Sequence, residues 1–351
     1  MKDTKTNIPY TLEQRQNTKN NKTNYYLVKA TTVNGKKIKL RKFIGHNKPD
    51  TTQLRELSEK HAYELETRAI EKEVQQNLKT TNPPTYLDQE TTKTLETIRC
   101  VYKKYTKLLT TDEIKAYEQN FEIKYVQGTT SIEGNTLTLS QTHDLLINQI
   151  LPDGKTLREV NEIQNYKKVK EYRDKYNGKI TPSFIKELHA LIMNNIDDQS
   201  PGIFRRIDSI VISGCDIAIA PAILIEADLR KIINDYYTAI QKGNHPFEEA
   251  IMFHYKFEMI HPFTDGNGRV GREILNHMLN KNGYPRLLLG PDRARYIKHL
   301  RLANQEKYSE MVTDFAQLLI EERYQTLIDN LIQIVIPPKT SNQLRLSDFS
   351  I

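Results

Sequence analysis

The sequence predicts a mainly helical protein with a small β-hairpin unit at its N-terminus. Two observations predict the helices. Apolar residues recur at helical spacing on both sides of residues 261–272: Ala250, Phe253, Phe257 and Ile260 before, Ile274, Leu275, Met278 and Leu279 after. A long charged segment, 51–79, carries Leu54, Leu57, His61 and Leu65 at the same spacing. The third observation predicts the hairpin. Tyr25–Val33 and Lys36–Ile44 are β-rich runs joined by Asn34-Gly35, the strongest short hairpin signal.

Taken in order, the hairpin unit occupies residues 1–50 and is basic. Between Tyr25 and His46 stand Lys29, Lys36, Lys37, Lys39, Arg41 and Lys42, with no acid among them. That run suits nucleic acid or an acidic partner; equally, it suits a solvated edge that blunts aggregation. Residues 51–110 read as a helical linker region: the helix 51–79, a break at Asn82-Pro83-Pro84, then a helix over Thr91–Leu109. A large helical core spans 111–330. Within it, Asp208–Pro221 reads as two short β-branched runs around Gly214. A helix over Gln317–Ile336 carries Leu318, Leu319, Leu327, Leu331 and Val335 and stops at Pro337-Pro338, so 331–351 is a helix end and a loose tail.

The whole chain bounds its class. Its 351 residues suffice for one large core plus accessory parts. A hydrophobic content of 38 % and a net charge of +7 go with a mean hydropathy of −0.64, which indicates a soluble, very polar protein. No apolar run approaches a membrane span of about 20 residues. No secretory signal opens the chain, and two cysteines, Cys100 and Cys215, make neither a disulfide framework nor a metal spacing. A cytoplasmic location fits these features.

The richest stretch is His261-Pro262-Phe263-Thr264-Asp265-Gly266-Asn267-Gly268-Arg269-Val270-Gly271-Arg272. Gly266 and Gly268 let backbone N–H groups close on a ligand, and Asn267 adds an amide. The following helix starts near Gly268, so its free N–H groups and positive dipole end face the same loop. Arg269 and Arg272 can add charge-assisted bonds to phosphate oxygens. Two arginines in a first turn oppose the helix dipole unless an anion sits there. Asp265 is a lone carboxylate beside this cluster, and Mg²⁺ is often held by one carboxylate plus substrate phosphates. His261 is suited to accept a proton from an attacking hydroxyl at neutral pH. Together these parts spell phosphoryl or nucleotidyl transfer. The bland alternative is an Asp-Gly-Asn-Gly turn with a capping histidine.

This stretch resembles the signature of the Fic family, His-Pro-Phe-x-(Asp/Glu)-Gly-Asn-(Gly/Lys)-Arg-x-x-Arg, at every defined position. The resemblance runs from about residue 112 to 325 and includes Glu159–Arg173 and Ile180–Ile192, which resemble core helices of the family. It implies a Fic-type helical bundle with a β-hairpin flap, and an enzyme that moves AMP from ATP to a Tyr, Thr or Ser hydroxyl of a target protein. Carried over, His261 deprotonates the hydroxyl and Asp265 binds Mg²⁺ (or Mn²⁺). Gly266, Asn267 and Gly268 hold the phosphates, and Arg269 and Arg272 contact the β- and γ-phosphates. Gly268 stands where the phosphotransferase branch has Lys, so AMP transfer is implied. Asn304 and Tyr296 would meet adenine; of the tyrosine pair found in some relatives, only Tyr296 is kept. Ile210, Val211, Ile212, Ile217 and Ile219 would form the flap that docks the target backbone; an ordinary structural hairpin is the alternative.

Thr129-Thr130-Ser131-Ile132-Glu133-Gly134 resembles the family's inhibitory motif, (Ser/Thr)-x-x-x-Glu-(Gly/Asn), in the class with an N-terminal inhibitory helix. The resemblance implies that Glu133, flanked by Thr129 and Gly134, forms a bidentate ion pair with Arg272 and keeps the γ-phosphate out of place. Self-modification and homodimer contacts are implied as well. Two other readings stand beside the leading one. The same pocket could remove AMP from modified proteins, with Glu133 positioning water. Alternatively, the chain is a nucleic-acid-associated regulator that uses this core as a sensing or toxin-like module.

Overall fold

A computed structural model of the chain describes residues 10–18, 21–33, 35–196, 200–208, 219–290 and 292–335. Two compact units divide it. One comprises Met1–Thr80, Glu96–Leu108 and Arg323–Ile351; the other comprises Thr81–Leu95 and Leu109–Glu322.

The first unit holds an antiparallel sheet in the order β1 (Thr11–Gln16), β2 (Thr23–Val33), β3 (Lys36–Gly45), followed by helix α1 (Thr51–Thr80). Strands β2 and β3 pair from Tyr25↔Gly45 to Val33↔Lys36, as the two runs predict. Asn34 lies outside the described residues; Gly35 takes a φ of +72°, the left-handed region that favours glycine. The expected hairpin forms, and a further strand, β1, extends it to a three-stranded sheet. β1 is too polar (Thr-Leu-Glu-Gln-Arg-Gln) to announce itself, and pairing along β2 decides its conformation. Inward-facing Leu27 and Leu40 pack with Tyr10 on Ala62, Leu65 and Ala69 of α1. Two of the six cations also turn inward. Lys29 pairs with buried Glu66 at 2.6 Å, where Tyr10 Oη also donates at 2.9 Å, and Lys42 pairs with Glu64 at 2.6 Å. A buried carboxylate needs such partners.

Helix α2 (Gln89–Leu108) contributes its first residues to the second unit and the rest to the first. The second unit continues with α3 (Thr111–Ile132), α4 (Leu139–His143) running into a π turn at Asp144–Asn148, α5 (Leu157–Lys175), α6 (Pro182–Ile192), α7 (Ile225–Gln241), α8 (Pro246–Ile260), α9 (Asn267–Lys281), α10 (Arg293–Asn304) and the start of α11 (Tyr308–Val335). The starts are written in the sequence. Thr110 with Glu113, Thr138 with Gln141 and Thr156 with Glu159 each close a capping box. Thr181 caps α6 ahead of Pro182, and Pro246 opens α8. The C-terminal helix begins at Tyr308 rather than at Gln317.

Helix α9 is central and buried nearly all round, packing on α8, α6 and α3. Gly271 sets how closely α8 can approach, since a Cβ there would lie 2.3 Å from Glu258 Oε1. Buried arginines fix α3, α5 and α9 to one another. Arg173 meets Glu122 at 3.0 Å and Glu273 at 3.2 Å, and Arg286 meets Glu122 at 2.8 Å. Among the described residues, no helix is long and apolar enough to cross a membrane. Cys100 is buried, and burial pushes its thiol up to about 12. Cys215 and the tail 336–351 lie outside the described residues.

Candidate active site

Six residues, His261–Gly266, join α8 to α9. His261 ends α8 in left-handed geometry, φ 48°, which a side chain larger than glycine adopts only when its surroundings compel it. Its N–H donates to Phe257 O at 3.0 Å, and its own carbonyl accepts from Arg205 Nε at 2.8 Å. Arg205 is the chief restraint. Its buried guanidinium also donates to the carbonyls of Ile207, Ala220 and Ile260, while its backbone N–H donates to Pro262 O.

The turn is braced from inside. Phe263 is buried and stacks on the His189 ring, centroids 3.7 Å apart and 7° from parallel. His189 Nδ1 accepts the Gly202 N–H at 2.8 Å, so its Nε2 carries the proton and donates to Asp265 O at 3.0 Å. Asn267 Oδ1 accepts from Phe263 N, and its Nδ2 donates to Phe263 O, each at 2.8 Å. The amide expected to grip phosphate is therefore spent on holding the turn. Gly266 takes φ 78° and packs so tightly that a Cβ would lie 2.8 Å from Met193 Sδ. No side chain caps α9, so the first N–H groups of the helix face outward without an intrahelical acceptor.

Both arginines of the loop are fully buried. Arg269 reaches Asp265 Oδ1 at 3.2 Å and Glu162 Oε1 at 3.3 Å. Arg158 closes the ring from α5, meeting Asp265 Oδ2 at 2.9 Å and Glu162 Oε1 at 3.3 Å. Burial raises the Asp265 carboxyl, but Arg269, the Gly266 N–H and Arg158 outweigh it and hold it below its ordinary range. Arg272 Nη2 meets Glu133 Oε1 at 2.6 Å; its Nε donates to Thr129 Oγ1 at 2.7 Å and its Nη2 also to Thr129 O at 3.0 Å. The expected bidentate pair is corrected to a single short contact: Nη2 alone reaches Glu133, while Nε and Nη2 also meet Thr129. Burial opposes ionisation of Glu133, yet Arg272 and Arg269 keep its carboxyl low. A Cβ on Gly268 would lie 2.6 Å from Glu133 Oε1 and 2.8 Å from Arg272 Nη1, so only glycine leaves this contact room. Gly134 follows Glu133 with φ 98°.

Among the described residues, two buried guanidinium nitrogens at the start of α9, Arg269 Nε and Arg272 Nη1, have no hydrogen-bond partner. Unpaired buried donors are costly, which makes this pair a candidate for binding an anion. Burial lowers His261 to about 4, so its imidazole is neutral at pH 7. Behind Arg272 lies Glu258, which burial pushes up to about 7. A polar cavity of about 230 Å³ opens between Glu133, Asn135, Arg158, Glu162, Asp265 and Arg269.

The structure brings His261, Asp265, Gly266, Gly268, Arg269, Arg272, Glu133 and Thr129 together. Tyr296, expected at adenine, lies buried with its ring 5.0 Å from the Arg272 guanidinium. Asn304 is exposed at the end of α10. Of the flap residues, Ile210, Val211, Ile212 and Ile217 lie outside the described residues. Ile219 is described, and beside it the Ala220 N–H donates to Met259 O at 2.9 Å. Sequence reading missed Arg205, His189, Arg158 and Glu162. No local pattern announces the first two; Arg158 and Glu162 lie at and beside the helix that was recognised, but with no sign of their role. Among the described residues, no three His, Cys, Asp or Glu side chains group into a metal cage. The donor set at the loop is one carboxylate, Asp265, whose Oδ1 meets Arg269 and the Gly266 N–H and whose Oδ2 meets Arg158, so Mg²⁺ shared with phosphates would compete with these contacts.

Residues 179–279 match the Fic/DOC family model. Among curated proteins, the protein adenylyltransferase Fic of Aedes aegypti is 32 % identical over 201 residues, 55 % of this chain and 39 % of that protein. Protein adenylyltransferase fic-1 of Caenorhabditis briggsae is 31 % identical over 220 residues, 60 % of this chain and 42 % of that one. The chain thus spans about two-fifths of the length of these relatives. Among solved structures, a Fic-domain-containing signaling protein from Bacteroides thetaiotaomicron is similar with a TM-score of 0.55 at 25 % identity, covering 68 % of this chain and 97 % of that one. A fragment of Fic-1 from C. elegans, at 22 % identity, shares the fold with a TM-score of 0.58 over 80 % of this chain and 88 % of its own.

Proposed function

We propose that this chain transfers AMP from ATP to a hydroxyl side chain of a protein, and that it rests in an inhibited form. The observation that carries the reading is the grouping at the start of α9: a neutral imidazole, a carboxylate ringed by arginines, and a guanidinium whose free nitrogen faces the same loop. The match to the Fic/DOC family model, residues 179–279, includes this region.

In the reaction, the acceptor oxygen attacks the α-phosphorus of ATP, the bond to the pyrophosphate oxygen breaks, and the hydroxyl proton goes to His261. Neutral His261 is in the correct form to take it. Arg205 holds the His261 carbonyl and so aims the ring. Asp265 would hold Mg²⁺, which supplies charge neutralisation for the phosphates. Arg269, Arg272 and the N–H groups of α9 would bind the triphosphate. Glu133 must first leave Arg272. A cytoplasmic setting, where ATP is abundant, suits this chemistry. The same cavity brings Glu133 beside Asp265 and Arg269, which also suits hydrolytic removal of AMP; a modified target that loses adenylate on incubation would identify that reaction.

The test is incubation of the Glu133→Gly variant with ATP and Mg²⁺, followed by mass spectrometry. Addition of one adenylate to a hydroxyl residue, absent when His261→Ala is combined with it, is the expected result. Transfer of phosphate instead, or equal labelling without His261, would overturn the proposal.

A further inference from the structure

The AMP-transfer chemistry leaves the N-terminal sheet unused, and the sheet has a second face. Residues directly paired across an antiparallel sheet share a face. Opposite the core therefore lie the pairs Thr32↔Lys37, Ala30↔Lys39, Val28↔Arg41 and Tyr26↔Phe43, with Val28 itself covered. Among the described residues, β1 pairs with β2 only over Thr23–Val28. Beyond Val28 the hairpin continues as a two-stranded ribbon, Lys29–Val33 with Lys36–Leu40, whose other face packs through Leu40 and Ile38 on the α1 core.

On that ribbon, Ala30, Thr32, Lys36, Lys37 and Lys39 are all exposed. The outward positions on β2 are small and those on β3 are lysines. Arg41 and Arg15 extend the charge towards the base, where among the described residues the only acid on this face, Glu13, is tied to Arg15 at 2.6 Å and Arg41 at 3.0 Å, with Lys39 at 3.9 Å. Four cations against one neutralised carboxylate leave the face positive.

Shape then selects the occupant. Two backbones about 4.8 Å apart with small outward residues form a slab that fits a major groove about 12 Å wide. Five residues of overhang span about 17 Å, roughly half a turn of duplex. A single strand would need open ring faces to stack on. Here Tyr26 meets Phe43 edge-on (5.7 Å, 63°) and Phe43 meets His46 likewise (5.3 Å, 62°), so the rings are turned to each other.

We infer that the β2–β3 ribbon is a duplex-DNA-binding element that enters the major groove with Ala30 and Thr32 foremost, while Lys37, Lys39 and Arg41 take backbone phosphates. The test is fluorescence anisotropy of the full chain with a labelled 20-base-pair duplex from 50 to 300 mM KCl, without ATP, so that its outcome is independent of transferase activity. Binding in the micromolar range at 50 mM salt is expected, with a log–log salt slope near −3, about 0.9 per phosphate contacted. The double variant Lys37→Ala, Lys39→Ala should lose at least tenfold in affinity and about two units of slope. Ala30→Phe, which adds bulk without charge, should weaken binding and leave the slope unchanged. Absence of binding at 50 mM salt would overturn the inference. So would a single strand or an oligoglutamate peptide that binds as tightly as the duplex, or an Ala30→Phe variant that binds like the parent.

Discussion

Replacing Glu133 by glycine should raise the rate of adenylate incorporation about 30-fold and at the same time lower stability. Both parts follow from one contact. Arg272 is fully buried, and its 2.6 Å bond to Glu133 is its only ion pair among the described residues. A hydrogen bond to a charged group is worth about 1.5–3 kcal/mol, and the Glu133 side chain is 30 % exposed, which argues for the lower part of that range. Nucleotide that needs Arg272 must overcome about 2 kcal/mol in the parent, which is about 30-fold in rate at subsaturating ATP. The variant also leaves a buried guanidinium with Thr129 and the Tyr296 ring but no counter-charge, so its melting temperature should fall by several degrees. The assay is initial incorporation from α-labelled ATP, with thermal unfolding measured on the same samples. Rates within twofold of the parent would refute the reasoning, and a variant both faster and more stable would show that the contact is not a restraint on Arg272.

Three further outcomes are expected. Glu258, which burial pushes up to about 7 from an ordinary 4.5, binds its proton more tightly folded than unfolded. Its contribution is full below about pH 4.5 and is lost as pH rises to 7, so Glu258→Gln should match the parent in urea denaturation at pH 4.5 and exceed it at pH 8, by at most about 3 kcal/mol. Gly271→Ala places a methyl 2.3 Å from Glu258 Oε1 and 3.0 Å from the Phe257 ring, and should destabilise by about 1–3 kcal/mol in the same measurement. Arg205→Lys keeps the charge but loses the fork that holds the carbonyls of His261, Ile260 and Ala220. In the Glu133→Gly background it should lower kcat by about 100-fold with little change in nucleotide affinity, since about 1 Å of misplacement has that cost.

What the sequence makes legible is local. The starts of α3 and α5 carry a local signal that sequence reading missed, Thr110 and Thr156 each with a glutamate three residues on, while the start of α6 at Thr181-Pro182 follows from the family resemblance. The loop between α8 and α9 is readable because histidine, carboxylate, glycines and arginines fall within twelve residues. What stays hidden is pairing over distance. Arg205 meets His261 across 56 positions and His189 meets Asp265 across 76, so no window contains either pair. Asn267 looks like a ligand donor in sequence and is a brace in space, because Phe263, its partner, contributes backbone rather than a recognisable side chain. Likewise β1 is polar and becomes a strand only through β2.

Glu133 caps the C-terminal end of α3, followed at once by Gly134 with φ 98°. The last turn of a helix frays more readily than its middle. Here, however, that turn is the best-covered part of α3: Thr129, Thr130 and Ile132 are buried, whereas residues 111–116 are exposed. Asn135, just beyond it, is tied to Glu162 and to the Glu159 carbonyl. In the proposed inhibited form, release therefore falls to the partly exposed Glu133 side chain, which can turn off Arg272 while the helix behind it stays wound.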